Sequence, residues 1–139
     1  MSRMISIRHG RAGEYLACYL LEAYADLEAS RIDGAFDLVV HAGDGRLARV
    51  EVKTSSKRKR SSGGYKFQRP RMTVLADYYC CVALDIGLMR IFHGDVWRDR
   101  KELSLPNREF TQPAMINDLR WLKRQMCGDV TCQQIPPAS

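Results

Sequence analysis

Two β-rich runs decide the fold of this chain: Phe36-Asp37-Leu38-Val39-Val40-His41 and Arg46-Leu47-Ala48-Arg49-Val50-Glu51-Val52-Lys53, separated by Ala42-Gly43-Asp44-Gly45. An Asp-Gly pair between two such runs is a strong signal for an antiparallel hairpin. If residues 43–45 form a three-residue loop, Asp37 lies directly opposite Glu51. A two-residue loop would shift this register by one residue and separate the two acids.

The alternation of a strand then gives the hairpin one polar and one apolar face. Lys53 shares the face of Glu51, whereas Val50 and Val52 point to the other face, which we expect to be the core. Opposed Cβ atoms lie about 5 Å apart, so the two carboxylates are close enough to share one cation. Oxygen ligands favour Mg²⁺, with Mn²⁺ as a second choice, and the lysine can orient water or stabilise a phosphate. These groups suit the hydrolysis of a phosphodiester bond.

Outward from the hairpin, periodicity predicts a helix over residues 10 to about 30 and a second over residues 113 to about 127. Short strands are expected at residues 65–68, 78–84 and 87–92, and an irregular stretch follows them. The order predicts an α/β or α+β fold, with a central mixed β-sheet flanked by an N-terminal and a C-terminal helix. A length of 139 residues suits a single domain, with a frayed tail from about residue 128.

The positive charge of the chain is concentrated in one segment. The formal net charge is +6, yet eight cations and no acids lie between positions 52 and 76. A polyanion is the natural partner of such a segment. The alternative is a solvated loop kept soluble by its charge, and residues 55–64 are expected to be an exposed loop in either case.

The composition places the chain among soluble globular proteins. Five cysteines, two of them adjacent, fit a disulfide framework poorly and a reducing compartment well. No apolar run is long enough to cross a bilayer, and the first nine residues lack a secretory signal. We therefore expect a cytoplasmic protein with no membrane partner.

The residues Asp37 and Glu51-Val52-Lys53 resemble the motif of the PD-(D/E)xK nuclease superfamily, with Phe36 where the name has proline. The resemblance covers roughly residues 10 to 92. Within this superfamily the chain is similar to group I intron-type homing endonucleases and to archaeal-type Holliday-junction resolvases. The last motif of the homing endonucleases often has glutamine where this chain has Glu51. It also implies a restriction-endonuclease-like core and a third metal-binding acid, Glu14, on the first helix.

The resemblance implies a Mg²⁺-dependent DNA endonuclease of the homing or restriction type, in which Asp37, Glu51 and Glu14 bind the metal and Lys53 positions or activates water. Cutting both strands requires two active sites, so a homodimer or higher symmetric oligomer is expected. The alternatives are a Holliday-junction resolvase and a non-catalytic nucleic-acid-binding module. The predicted DNA contacts are Lys57, Arg58, Lys59, Arg60, Lys66, Gln68, Arg69, Thr54 and Ser55.

Each of these residues also has a structural interpretation. Glu14 fits the first turn of a helix, where the dipole favours an acid. Asp37, Glu51 and Lys53 would also fit a solvent-facing strand with an ion pair, although aspartate is disfavoured inside strands. Gln68 would equally suit the surface of a strand, and Thr54 and Ser55 the end of one. The larger aromatic residues are better explained as core, and these are Tyr78, Tyr79, Trp97 and Trp121.

Overall fold

The computed structural model describes residues 3–32, 37–43, 45–55, 64–69 and 76–127. Two α-helices and seven strands lie within these ranges. In chain order they are α1 (Arg3–Ala25), β1 (Glu28–Arg31), β2 (Leu38–His41), β3 (Leu47–Ser55), β4 (Gly64–Gln68), β5 (Tyr78–Ala83), β6 (Leu88–His93), β7 (Glu102–Pro106) and α2 (Gln112–Cys127). Short 3-10 helices occur at Gly94–Trp97 and Asn107–Glu109.

The main sheet is mixed, as the sequence predicts. In the described part of the chain it has the strand order β1-β2-β3-β5-β6, in which β3 and β5 are parallel and the other neighbours are antiparallel. Strands β4 and β7 instead pair with each other in a separate antiparallel sheet. The fold class is therefore α+β, and the prediction of a central mixed sheet with helices near both ends is confirmed.

The hairpin has the predicted register. Leu38 lies opposite Val50, and His41 lies opposite Leu47. The Ala42 N–H donates to the Arg46 carbonyl at 2.9 Å, so the two strands are joined at the positions expected for this register. Since Asp37 immediately precedes β2, the same register places it at the level of Glu51.

Two apolar clusters cover the two faces of the main sheet. The helices α1 and α2 pack on the face that carries Val50, Val52, Cys80 and Val82. The small β4–β7 sheet packs with Tyr79, Cys81 and Trp97 on the opposite face. Strand β3 is therefore covered on both sides along its middle. Glu51 is buried on the face of the second cluster, whereas Arg49 on the same face is exposed and Thr54 faces α1.

The predicted bounds of the first helix are wrong at both ends. The helix begins at Arg3 and ends at Ala25, and residues 28–31 form an additional strand, β1. Asp26 has φ of 54°, a left-handed conformation that ends helices and that glycine usually takes. Leu27 continues the helical spacing and is fully buried, but it reaches the core after this turn.

Other differences lie at strand ends. β3 continues through Thr54 to Ser55, and β7 occupies part of the stretch expected to be irregular. The second helix is confirmed, and so is the core placement of Tyr79 and Trp97, whereas Tyr78 and Trp121 are half-buried and pack against the core. The described cysteines are free thiols, and these are Cys18, Cys80, Cys81 and Cys127. The predicted frayed tail and most of the predicted 55–64 loop lie outside the described residues.

Candidate active site

Glu51 is the single buried charged residue among those described, with 8% of its surface exposed. It lies in the middle of β3, on the face that carries Tyr79 of the neighbouring strand. Its Oε2 atom is 3.2 Å from Lys53 Nζ but has no hydrogen-bond partner of good geometry. A buried carboxylate oxygen without such a partner is costly, unless the site also binds a ligand that the protein atoms do not supply.

The pKa of Glu51 reflects this environment. Burial raises the pKa of its carboxyl, the Lys53 ammonium lowers it in part, and the negative charge of Asp37 raises it further. The influence of Asp37 is expected from the register, because both acids lie at one level of the hairpin. The two carboxylates and the lysine are therefore grouped as the sequence predicts.

Asp37 is held in place by the backbone of β3. Its Oδ2 accepts a hydrogen bond of 2.8 Å from the Val52 N–H, and its own carbonyl accepts one of 3.1 Å from Ile32 N–H. This contact explains why an aspartate lies just before β2: its carboxylate accepts the hydrogen bond of a β3 N–H that the backbone of β2 does not reach. Glu51 is buried rather than solvent-facing, and Asp37 is half-buried, while the ion pair with Lys53 that the structural interpretation expects is present.

Glu14 is not grouped with the other two acids. It lies in the middle of α1, so the interpretation as a first-turn acid is wrong. Its Oε1 accepts a hydrogen bond of 3.0 Å from Arg31 Nε, and Arg31 Nη1 donates to the Tyr15 hydroxyl at 2.9 Å. The hydrogen bond to Glu14 raises the pKa of the Arg31 guanidinium.

The described residues contain no group of three His, Cys, Asp or Glu side chains that could hold a metal ion. Asp37 and Glu51 are the two neighbouring carboxylates that could hold a cation here. Mg²⁺ is commonly bound by one or two carboxylates and retains several waters, so this pair suffices for such a site. Glu51 Oε2 is ion-paired with Lys53 but lacks a well-aligned hydrogen-bond donor, so it fits a divalent cation on chemical grounds.

Helix α1 approaches β3 closely at this end of the sheet. A Cβ atom added to Gly13 would lie 2.0 Å from Thr54 Oγ1, which is itself buried without a hydrogen-bond partner. Only glycine permits this approach. The contact fixes how far Glu14, the next residue, lies from the end of β3.

The chain is similar in fold to a bacterial homing endonuclease, I-Ssp6803I. The two structures agree with a TM-score of 0.68 over 86% of this chain and 92% of that chain, at 19% sequence identity. At this identity the likeness establishes the shared fold and no more. No protein-family profile and no curated protein sequence matches this chain.

The predicted DNA contacts are only partly described. Lys57, Arg58, Lys59 and Arg60 lie outside the described residues. Lys66 Nζ and Gln68 Nε2 both contact the Glu102 carboxylate of β7, at 2.9 Å and 2.8 Å. Arg69 follows β4 and lies near Tyr79: burial raises the pKa of the Tyr79 phenol, and the positive charge of Arg69 offsets a small part of this rise. Thr54 faces α1, and Ser55 ends β3.

Sequence reasoning missed the partner of Glu14 and one neighbour of Glu51. Arg31 binds Glu14, and Tyr79 lies beside Glu51 with its hydroxyl accepting a 3.1 Å hydrogen bond from Ala76 N–H. Arg31 lies on β1, which was not predicted because the helical spacing of apolar residues continues to Leu27. Tyr79 was correctly predicted to be core, and the parallel pairing of β3 with β5 is what brings it to Glu51. No helix in the described ranges is long and apolar enough to span a membrane.

Proposed function

We propose that this chain is a divalent-metal-dependent DNA endonuclease that uses Asp37, Glu51 and Lys53. The observation that carries the proposal is the buried Glu51 carboxylate, with one oxygen lacking a hydrogen-bond partner, between the Asp37 charge and the Lys53 ammonium. The likeness in fold to a bacterial homing endonuclease supports it. The assignment of these residues to the PD-(D/E)xK motif is part of the proposal.

Asp37 and Glu51 would hold the cation, Mg²⁺ or Mn²⁺. When bound, such a cation acts as a Lewis acid on the phosphate and lowers the pKa of water. The Lys53 side chain is 28% exposed, so it can reach a phosphate oxygen or the attacking water while it remains near Glu51. Its positive charge stabilises the charge that develops on the phosphate.

The basic segment would supply DNA affinity. Lys57, Arg58, Lys59, Arg60, Lys66 and Arg69 are expected to contact backbone phosphates, with Gln68 and Ser55 as polar contacts. Thr54 is withdrawn from this set, because its hydroxyl is buried against Gly13. Contacts to phosphates give affinity without sequence information. Two copies of the chain would be needed to cut both strands, and light scattering of the purified protein tests the expected homodimer or higher oligomer.

Nicking of supercoiled plasmid DNA tests the activity. Wild type should nick in Mg²⁺ and not in EDTA, and Lys53→Ala should reduce the rate by about 100- to 1000-fold, the usual cost of losing a preorganised charge-stabilising group. Lys123→Ala is the matched control, because Lys123 lies on α2 and donates to the Asp26 carbonyl. It should nick at the wild-type rate.

DNA binding of Lys53→Ala in Ca²⁺, measured by fluorescence anisotropy, separates loss of chemistry from loss of folding. The nuclease proposal predicts retained binding without nicking. If wild type binds DNA but nicks neither plasmid nor four-way junctions, the chain is a non-catalytic nucleic-acid-binding module. Selective cutting of junctions over matched duplexes would identify a resolvase instead.

A further inference from the structure

The outer side of α1 carries two exposed tyrosines. Tyr15 has 56% of its surface exposed and Tyr19 has 60%, and their helical spacing places them on the same side of the helix. Ala17 and Leu21 are fully buried on the other side, where α1 packs on the main sheet. A tyrosine ring left in water is typical of an interaction surface, because the apolar ring gains from burial while the hydroxyl can stay hydrated.

Charges of opposite sign lie before and after these tyrosines. Arg8 and Arg11 precede them, Glu22 follows them, and all three charged side chains are exposed. Arg8, Tyr15 and Glu22 recur at two-turn intervals, so they lie along one stripe of the helix. Within the ranges that the structure describes, none of the three charged residues forms an ion pair.

Further acids extend the negative end of this surface past the helix. Asp26 follows α1 and Glu28 begins β1, and both are exposed and line a pocket together with Glu22. Lys123 of α2 also lines this pocket, with its Nζ 3.9 Å from Asp26 Oδ2. Three acids and one lysine leave this end of α1 negative, whereas the two arginines make the outer side of its first half positive.

We propose that the outer side of α1 is a docking surface for a second copy of this chain, with the two helices antiparallel about a two-fold axis at Tyr15. Positions equally far before and after Tyr15 then face each other. Arg8 of each copy meets Glu22 of the other in an ion pair, and Arg11 meets the ring of Tyr19. Symmetry repeats each contact, so each kind of pair occurs on both sides of the axis.

Charge complementarity favours a copy of the chain over a polyanion as the occupant. Antiparallel pairing sets the positive half of each α1 against the negative end of the other, which is attractive at both ends. A nucleic acid lying along the same side would be attracted by the two arginines and repelled by Glu22, Asp26 and Glu28. Binding of DNA to this surface is therefore the rival outcome of the test.

The surface faces away from the candidate active site. Helix α1 packs on the sheet face that carries Val50 and Val52, and Glu51 lies on the opposite face beside Tyr79. Two copies joined through α1 therefore have their Glu51 carboxylates on opposite outer sides of the dimer. The contact goes beyond the proposed function, since it is separate from any pairing that sets two active sites on one duplex. A dimer of this kind would present its two active sites to two different DNA segments.

Sedimentation equilibrium of the full chain over a concentration series tests the interface. One side of a single helix buries less area than a standard interface, so wild type should self-associate weakly, in the micromolar range. Arg8→Glu and Glu22→Arg should each weaken this association by about tenfold, because two like-charge contacts replace two ion pairs. The variant with both substitutions should recover wild-type association, since it restores both pairs with their charges exchanged.

Arg108→Glu is the matched control. It makes the same change in charge as Arg8→Glu at an exposed site in the 3-10 helix after β7, whose sheet packs on the opposite face from α1, so association should be unchanged. Tyr19→Ser changes no charge and should weaken the association several-fold through loss of the Arg11 contact. Circular dichroism should show wild-type melting for all these variants, because the substituted positions are exposed.

The possible results separate the two occupants. The proposal is overturned if wild type stays monomeric throughout the series, if Arg8→Glu leaves the association unchanged, or if the double variant associates no better than the single variants. Weaker binding of a labelled duplex by Arg8→Glu, with unchanged self-association, would assign the surface to DNA instead. The nuclease proposal is judged separately by nicking that depends on Lys53, because none of these substitutions touches the candidate active site.

Discussion

Replacement of Gly13 by alanine should destabilise the protein, although alanine is the better helix former. The new Cβ would lie 2.0 Å from Thr54 Oγ1 and 3.0 Å from both Thr54 Cβ and Cγ2, whereas ordinary contacts begin near 3.4 Å. Rotation of Thr54 offers little relief, because its side chain is branched at Cβ and stiff at χ1. Either α1 must move away from β3 or Thr54 must take a strained conformation.

The magnitude follows from two opposing effects. Alanine in place of glycine inside a helix gains about 0.5 to 1 kcal/mol, and forcing extra atoms into a packed interface costs about 1 to 3 kcal/mol. Gly10 lies in the same helix with nothing within 4 Å of an added Cβ, so Gly10→Ala experiences the first effect alone. The free energy of unfolding should therefore differ between the two variants by about 1 to 3 kcal/mol.

Urea unfolding followed by tryptophan fluorescence provides the measurement. Gly13→Ala should unfold at lower urea than wild type and Gly10→Ala at equal or higher urea, with unchanged slopes. In a Thr54→Ala background the loss caused by Gly13→Ala should shrink, because Oγ1 and Cγ2 are gone. Equal stability of the two alanine variants would refute the close approach of α1 to β3, and with it the argument for how far Glu14 lies from the end of β3.

Three further outcomes are expected. Glu51→Gln should abolish nicking yet raise the free energy of unfolding at neutral pH. The pKa of Glu51 is raised in the folded protein, so its ionisation destabilises the fold as pH rises above 4.5, and the stability advantage of Glu51→Gln should vanish in acid. Arg90→Ala should cost about 2 to 3 kcal/mol, since it leaves the half-buried carboxylates of Glu109 and Asp118 without their cation. Burial raises the pKa of Asp77, but the contacts with Arg49 outweigh it and lower the pKa. Asp77→Asn should therefore be less stable than wild type at neutral pH, and the difference in the free energy of unfolding should shrink as pH falls below about 4.

The hairpin could be predicted from the sequence because two independent signals agree on it. The Gly43-Asp44-Gly45 loop fixes the register, and the alternation along residues 46–53 fixes the faces. Together they place Asp37, Glu51 and Lys53 as a group before any coordinates are known. The second helix was equally accessible, because its apolar spacing is regular and Pro113 suits its first turn.

The missed parts depend on contacts between distant segments. Strand β7 has the alternation of a half-buried strand, but its partner β4 lies more than thirty residues earlier in the chain, and sequence periodicity does not reveal such pairing. Strand β1 was not predicted, because Leu27 continues the helical spacing of the apolar residues of α1. The partner of Glu14 was missed for the same reason, since Arg31 reaches it only after the chain reverses.

That reversal at Asp26 has a consequence for the evolution of the chain. Because β1 runs back beside α1, the contact between Glu14 and Arg31 depends on the number of residues between them, and one inserted residue would turn Arg31 to the opposite side of its strand. The Lys123 ammonium further anchors the turn through the Asp26 carbonyl. A change of length between these two segments should therefore be as disruptive as one in the hairpin loop after His41, which sets the level of Asp37 and Glu51.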